Sequence, residues 1–136
     1  MSGKEGGSFR VMLVEDDAGF LGTLEGLLTS RFPSILLEEA TNGTEALAKI
    51  ETFLPHLIFM DIKLPDQNGL EITRRVKALH PGIDVIILTS YDFPEYRQAA
   101  AASGAYSFLS KASSTAEEIQ DLVEGLCAKW TPSSMQ

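Results

Sequence analysis

The run Leu57-Ile58-Phe59-Met60 carries no charged or hydrogen-bonding side chain, ends on the carboxylate of Asp61, and is fenced by Pro55 and Pro65. It is too short for a helix core, and the flanking prolines stop a helix from running through it. It therefore reads as a strand buried on both faces. Such strands belong to parallel sheets covered by helices on either side. A carboxylate at the C-terminal end of one lies where open α/β sheets bind their ligands.

The rest of the chain supplies the neighbours this strand needs. Val11 to Val14 is a second apolar run, ending in Glu15-Asp16-Asp17, and Ile35-Leu36-Leu37 is a short third. Val85 to Leu88 stops at Thr89-Ser90, and Tyr106 to Leu109 stops at Ser110-Lys111. Between these runs apolar residues recur at helical spacing. The first such set is Phe20, Leu21, Leu24, Leu27 and Leu28; the second, after the Asn42-Gly43 turn, is Ala46, Leu47, Ile50, Phe53 and Leu54, stopped by Pro55. A third helix buries Ile72, Val76 and Leu79 and is stopped by His80-Pro81-Gly82. Asp92 and Pro94 signal the start of an Ala-rich helix closed by Gly104, and a last helix carries Ile119, Leu122, Val123 and Leu126, with Trp130 one turn further on. Five strands alternating with five helices predict an α/β fold, a doubly wound five-stranded parallel sheet with helices on both faces.

A chain of 136 residues fits one domain. Residues 1–8, rich in Gly and Ser, are predicted to be a disordered lead-in, residues 9–130 the folded domain, and residues 131–136 a tail or the start of a linker. The single Cys127 falls within an apolar helical pattern and is predicted to pack as a small hydrophobe. His56 and His80 have no metal-ligand spacing and read as structural or exposed. The net charge of −8 disfavours nonspecific nucleic-acid binding, which rests on cations displacing counterions from phosphates. No basic-then-apolar leader opens the chain, and no apolar run approaches the roughly 18 to 20 residues of a membrane span, so the expected location is cytoplasmic.

Four strands end on residues with usable chemistry: Glu15-Asp16, Asp61, Thr89 and Lys111. In a parallel sheet all these ends share one edge. Carboxylates gathered there repel by about 4 kcal/mol per pair at 4 Å and an effective dielectric near 20. A divalent cation removes the conflict, and oxygen ligands without Cys or His favour Mg²⁺ or Mn²⁺. Acids at a strand-to-helix junction also suit a helix N-terminus; that reading is preferred for Asp17, the metal reading for Glu15 and Asp16. Asp61 can then act as a nucleophile toward phosphorus, with the Lys111 ammonium and the Thr89 hydroxyl on the phosphoryl oxygens. Taken singly, a strand-end lysine is commonly just solvated and a threonine commonly caps a turn; the joint set is what points to phosphoryl transfer.

The chain resembles the receiver domains of bacterial two-component response regulators over roughly Phe9 to Trp130. The resemblance is carried by Val14-Glu15-Asp16-Asp17, Met60-Asp61 with Leu64-Pro65 and Asn68-Gly69, Leu88-Thr89-Ser90, Gly104-Ala105 and Lys111. It implies a flavodoxin-like sheet of order 2-1-3-4-5 and phosphorylation of Asp61 by a histidine kinase, a phosphotransfer protein or a small phosphodonor. The Mg²⁺ would be held by Glu15, Asp16, Asp61 and the backbone carbonyl of Lys63. Thr89 and Lys111 would recognise the phosphoryl group, and Thr89 and Phe108 would form the switch. The output surface would be the fourth helix, fifth strand and fifth helix, with Tyr96, Arg97 and Trp130 as candidate contacts to an effector domain or, after phosphorylation, to a second copy. Ordinary partly packed surface is the competing reading for those three. Ala112 stands where many members have proline, so the turn after Lys111 is not fixed by one. Lys63 and Tyr91, two past Asp61 and Thr89, are predicted to obstruct the water that hydrolyses the acyl phosphate.

Two rival readings share parts of this pattern. Aspartyl-nucleophile phosphatases place a second acid two residues past the nucleophile, where Lys63 stands and cannot donate a proton at neutral pH. A pseudo-receiver working without phosphate has no need of the complete set of acids, Thr and Lys. The predicted role is a signalling module, not an enzyme acting on other substrates, making no direct contact with nucleic acid or membrane.

Overall fold

A computed structural model describes residues 8–130; the remaining lead-in (1–7) and the C-terminal tail (131–136) lie outside the described residues. The elements alternate strictly: β1 (Arg10–Val14), α1 (Ala18–Arg31), β2 (Leu36–Ala40), α2 (Gly43–Phe53), β3 (Leu57–Met60), α3 (Gly69–Leu79), β4 (Asp84–Thr89), α4 (Pro94–Ala102), β5 (Ser107–Ser110) and α5 (Ala116–Trp130). The five strands form one parallel sheet in the order β2-β1-β3-β4-β5. This is the predicted flavodoxin-like, doubly wound architecture. The order reverses beside β1 and β3, and that reversal opens a crevice at their C-terminal ends.

Alternation along the strands explains why both sheet faces are apolar. Leu57 and Phe59 of β3 join Val11, Leu13, Ile86 and Leu88 beneath Leu21, Leu24 and Leu28 of α1 and Ile119, Val123 and Leu126 of α5. Ile58 and Met60 point the other way, with Met12, Val14, Val85 and Ile87, against Ala46, Ile50, Ile72, Val76 and Ala100 of α2, α3 and α4. Helix starts follow from local chemistry. Asp17 accepts from the Gly19 and Phe20 amides, Asn42 from Glu45 and Asn68 from Leu70. Thr115 and Glu118 cap α5 reciprocally.

Several expected details differ. The edge strand β2 is shifted past Ile35 and runs on through Glu38 and Glu39, because Lys49 reaches over them to the Glu38 carboxylate (3.0 Å) and the Glu39 carbonyl (2.7 Å). Asp92 does not cap α4. Phe93 takes the cap position without a side-chain bond, and Asp92 pairs with Arg97 at 2.6 Å instead. Strand β5 is shifted one residue, so Tyr106 precedes it and is exposed. Leu54 is not on the buried face of α2: it adopts a left-handed cap (φ 50°) and turns outward. Leu79 keeps helical phase with Ile72, yet it sits in the last turn of α3 beside Leu54 and Gly82, where it is 64% exposed.

Candidate functional site at the strand ends

The main chain sets the site before any side chain acts. The Glu15 amide donates to the Ala40 carbonyl at 3.0 Å, Asp61 to Val14 at 3.1 Å, and Lys111 to Thr89 at 2.9 Å. These bonds extend the sheet ladder by one residue beyond β1, β3 and β5. The residue just past each apolar run is therefore held as firmly as the strand itself.

Glu15, Asp61 and Thr89 are buried, whereas Asp16 is exposed at the rim. Oxygens of the Glu15, Asp16 and Asp61 carboxylates lie within 4.8 Å of one another. The Lys111 Nζ stands 2.5 Å from Glu15 Oε1 and 3.3 Å from Asp61 Oδ2, and 4.7 Å above the Phe20 ring. Burial pushes the Glu15 carboxyl above its ordinary range, and the Asp61 charge adds to that; donation from Lys111 and the Asp17 amide opposes it. For Lys111 burial acts downward but the two carboxylates outweigh it, and the ammonium is held above its usual range. Two buried acids and one exposed acid facing a common space, with a single cation between the buried pair, are a donor set that suits a hard divalent ion. Among the described residues, Glu15, Asp16 and Asp61 form the acid cluster that could hold it.

Thr89 Oγ1 accepts from the Tyr91 amide at 3.2 Å, which leaves its own proton available to an acceptor at the strand end. Lys63 and Tyr91 are both exposed above the site, and the Lys63 ammonium lies 5.2 Å from the Tyr91 ring centroid and 5.9 Å from that of Tyr96. Phe108 is half-buried on β5 with the Arg97 guanidinium 4.7 Å from its ring centroid. Tyr96 packs its ring near Tyr91 and Phe93.

Other candidates fall elsewhere. Trp130 is not an open contact surface: it packs on His56 (4.0 Å) and Phe9 (5.7 Å) at the far end of α5 from Lys111. His56 is structural, its Nδ1 accepting from the Arg10 amide, and His80 pairs with Glu51. Cys127 packs half-buried against the α1/α5 core, its thiol pushed up by burial. Sequence reasoning missed Phe20, since its place in an apolar stripe hides a ring turned toward a cation. It also missed Asp66, whose partners lie 22 and 23 residues away.

A 2-1-3-4-5 parallel sheet carrying an acidic, lysine-paired site at its carboxyl edge defines a doubly wound α/β domain whose acid cluster could hold a metal ion. The chain belongs to the response regulator receiver domain family, whose model matches residues 11–124. It is a receiver domain of the two-component signalling type. It is 31% identical over 102 residues to the chemotaxis protein CheY of Halobacterium salinarum, covering 75% of this chain and 83% of that one. An uncharacterized transcriptional regulatory protein of Bacillus subtilis, YvfU, is 33% identical over 122 residues, covering 88% of this chain and 59% of its own length. The chain therefore spans little more than half of that regulator. Among solved structures, a CheY-like response regulator receiver domain protein from Methanospirillum hungatei superposes with a TM-score of 0.83 at 27% identity, over 93% of this chain and 98% of that one. Among the described residues no helix is long and apolar enough to cross a membrane.

Proposed function

We propose that Asp61 is the phosphoacceptor of this receiver, that Glu15, Asp16 and Asp61 with the Lys63 carbonyl hold Mg²⁺, and that Thr89 and Lys111 bind the phosphoryl oxygens. The observation that carries this reading is the Lys111 ammonium wedged between the buried carboxylates of Glu15 and Asp61, at 2.5 and 3.3 Å. An Asp61 oxygen attacks the phosphorus of a phosphohistidine or acyl phosphate. The donor P–N or P–O bond breaks, its electron pair leaves with the imidazole or carboxylate, and a mixed anhydride forms on Asp61. When bound, the metal neutralises charge on the acids and the transferred group. Lys111 pairs with one phosphoryl oxygen and Thr89 Oγ1 donates to another, which draws β4 and β5 toward Asp61.

The responsive face is α4, β5 and α5. Helix α4 has only Ala100 fully buried and has no side-chain cap at its start, so it is weakly held against the sheet. The Thr89 and Phe108 pair switches by packing, because Phe108 has no hydroxyl. The kinase or phosphotransfer protein, the effector domain or second copy engaged by α4–β5–α5, the cytoplasmic setting, the domain limits 9–130, and the absence of turnover on other substrates belong to the same proposal.

The test is acetyl phosphate with Mg²⁺ followed by intact mass. One adduct, lost in Asp61→Asn, supports the reading. No adduct supports a receiver working without phosphate, and multiple turnover of phosphate esters supports a phosphatase.

A further inference from the structure

Asp66 lies five residues past Asp61 and is exposed, yet both of its carboxylate oxygens are bonded. Its Oδ1 accepts from the Gly43 amide at 2.7 Å, and its Oδ2 accepts from the Thr44 amide at 3.0 Å and the Thr44 hydroxyl at 2.8 Å. Asn42 already caps α2 by accepting from the Glu45 amide, so the acid from the β3–α3 turn completes the cap from outside the helix. The approach is close: a Cβ on Gly43 would stand 3.0 Å from the Gln67 side chain and 2.9 Å from Ile72 Cδ1.

The turn that Asp66 tips is wound tightly onto Asp61. The Gly69 amide donates to the Ile62 carbonyl at 2.8 Å, Lys63 and Asn68 face each other as an antiparallel bridge, and a Cβ on Gly69 would meet the Asp61 carbonyl oxygen at 1.9 Å. The base of the turn is thus pressed on the backbone of Asp61 and its tip is fastened to α2. Asp16, Thr41, Asn42, Thr44, Pro65 and Asp66 together line one open recess at the rim. The tip therefore shares a wall with the one exposed acid of the metal-binding set.

We infer that Asp66 is a positioning residue: its clamp on the α2 N-terminus holds the Asp61–Gly69 turn at the spacing from Glu15 and Asp16 that a divalent ion requires. This rests on the metal reading above and deepens it, since Asp66 touches no ligand itself. Outer partners that orient ligand-bearing groups commonly contribute 10- to 100-fold to metal affinity.

The experiment is calorimetric titration of the complete chain with Mg²⁺ alone, beside thermal melts, for wild type, Asp66→Ala and Asn42→Ala. Asn42→Ala removes a cap from the same helix end without a bond to the β3–α3 turn. Both variants are expected to melt lower, but only Asp66→Ala is expected to weaken Mg²⁺ binding, by about tenfold. Unchanged Mg²⁺ affinity in Asp66→Ala overturns the inference, as does equal weakening in both, which would mean general loosening of α2. If wild type itself binds no Mg²⁺, the metal reading fails and the inference with it; Mg²⁺ binding by wild type with an unaltered Asp66→Ala sinks the inference alone.

Discussion

The Lys111 ammonium is nearer to Glu15, at 2.5 Å, than to Asp61, at 3.3 Å. Its side chain is 13% exposed and that of Glu15 5%, so this is a largely buried pair, and removing its cation strands two acids in poor solvent. Lys111→Met is expected to lower the stability of the metal-free chain by about 3 kcal/mol at neutral pH. Mg²⁺ should restore much of that loss, because it replaces the missing positive charge. Urea unfolding with and without Mg²⁺ measures both. A variant as stable as wild type without metal would mean that the pair contributes nothing.

His56 gives the chain an acid limit that has nothing to do with phosphate. Burial, and to a lesser degree the Arg10 charge, pushes its pKa down from 6.5 to about 4. The geometry agrees: Nδ1 accepts from the Arg10 amide at 2.9 Å, and the ring lies against Phe9 and Trp130. A proton on Nδ1 would face that amide hydrogen. The folded pKa is the lower one, so this contribution is full above pH 6.5 and is lost as pH falls toward 4. Discounted for the ring's partial exposure, the loss by pH 5 is about 1 kcal/mol. His56→Asn keeps an acceptor for the amide but cannot titrate in this range. Wild type should therefore lose about 1 kcal/mol more than His56→Asn between pH 7 and pH 5 in urea melts.

The strands are readable because their apolar runs are short, bracketed and end on charge, which by itself assigns Asp61, Glu15 and Lys111 to one sheet edge. Residues whose role depends on a distant partner were not readable. Nothing local to Leu64-Pro65-Asp66 says that the carboxylate reaches Gly43 and Thr44. Leu79 has the right helical phase for burial and is exposed because of where α3 ends, which periodicity does not encode. Trp130 likewise continues an apolar stripe, and its tilted ring contact with His56 depends on a residue 74 positions earlier, in the loop before β3.

Lys63 and Tyr91 make contact across the mouth of the site, with the ammonium 5.2 Å from the ring centroid. A cation over an aromatic face is worth about 0.5 to 1 kcal/mol when exposed. If the pair screens an acyl phosphate on Asp61 from water, Lys63→Ala and Tyr91→Ala should each speed dephosphorylation by about two- to fivefold. The double variant should gain less than the product of the two, since either change breaks the same contact. Loss of the phosphorylated mass over time gives the rates; unchanged rates in both single variants would remove the screen.

The same glycine-to-alanine change should act with opposite sign at two positions. At Gly69 the added methyl would stand 1.9 Å from the Asp61 carbonyl oxygen and 3.0 Å from Met60 Cγ. A backbone oxygen cannot rotate away as a side chain can, so relief requires the turn to move off Asp61. Gly69→Ala is expected to cost about 3 kcal/mol and to weaken Mg²⁺ binding at the same time. At Gly22, mid-way along α1, the methyl would meet nothing within 4 Å. There the substitution only removes freedom from the unfolded chain and improves helix propensity, for a gain of about 0.5 to 1 kcal/mol. Paired urea melts compare the two. Gly69→Ala as stable as wild type would show that the turn after Asp61 is not pinned against its carbonyl, and would weaken the case that this turn sets the geometry of the acidic site.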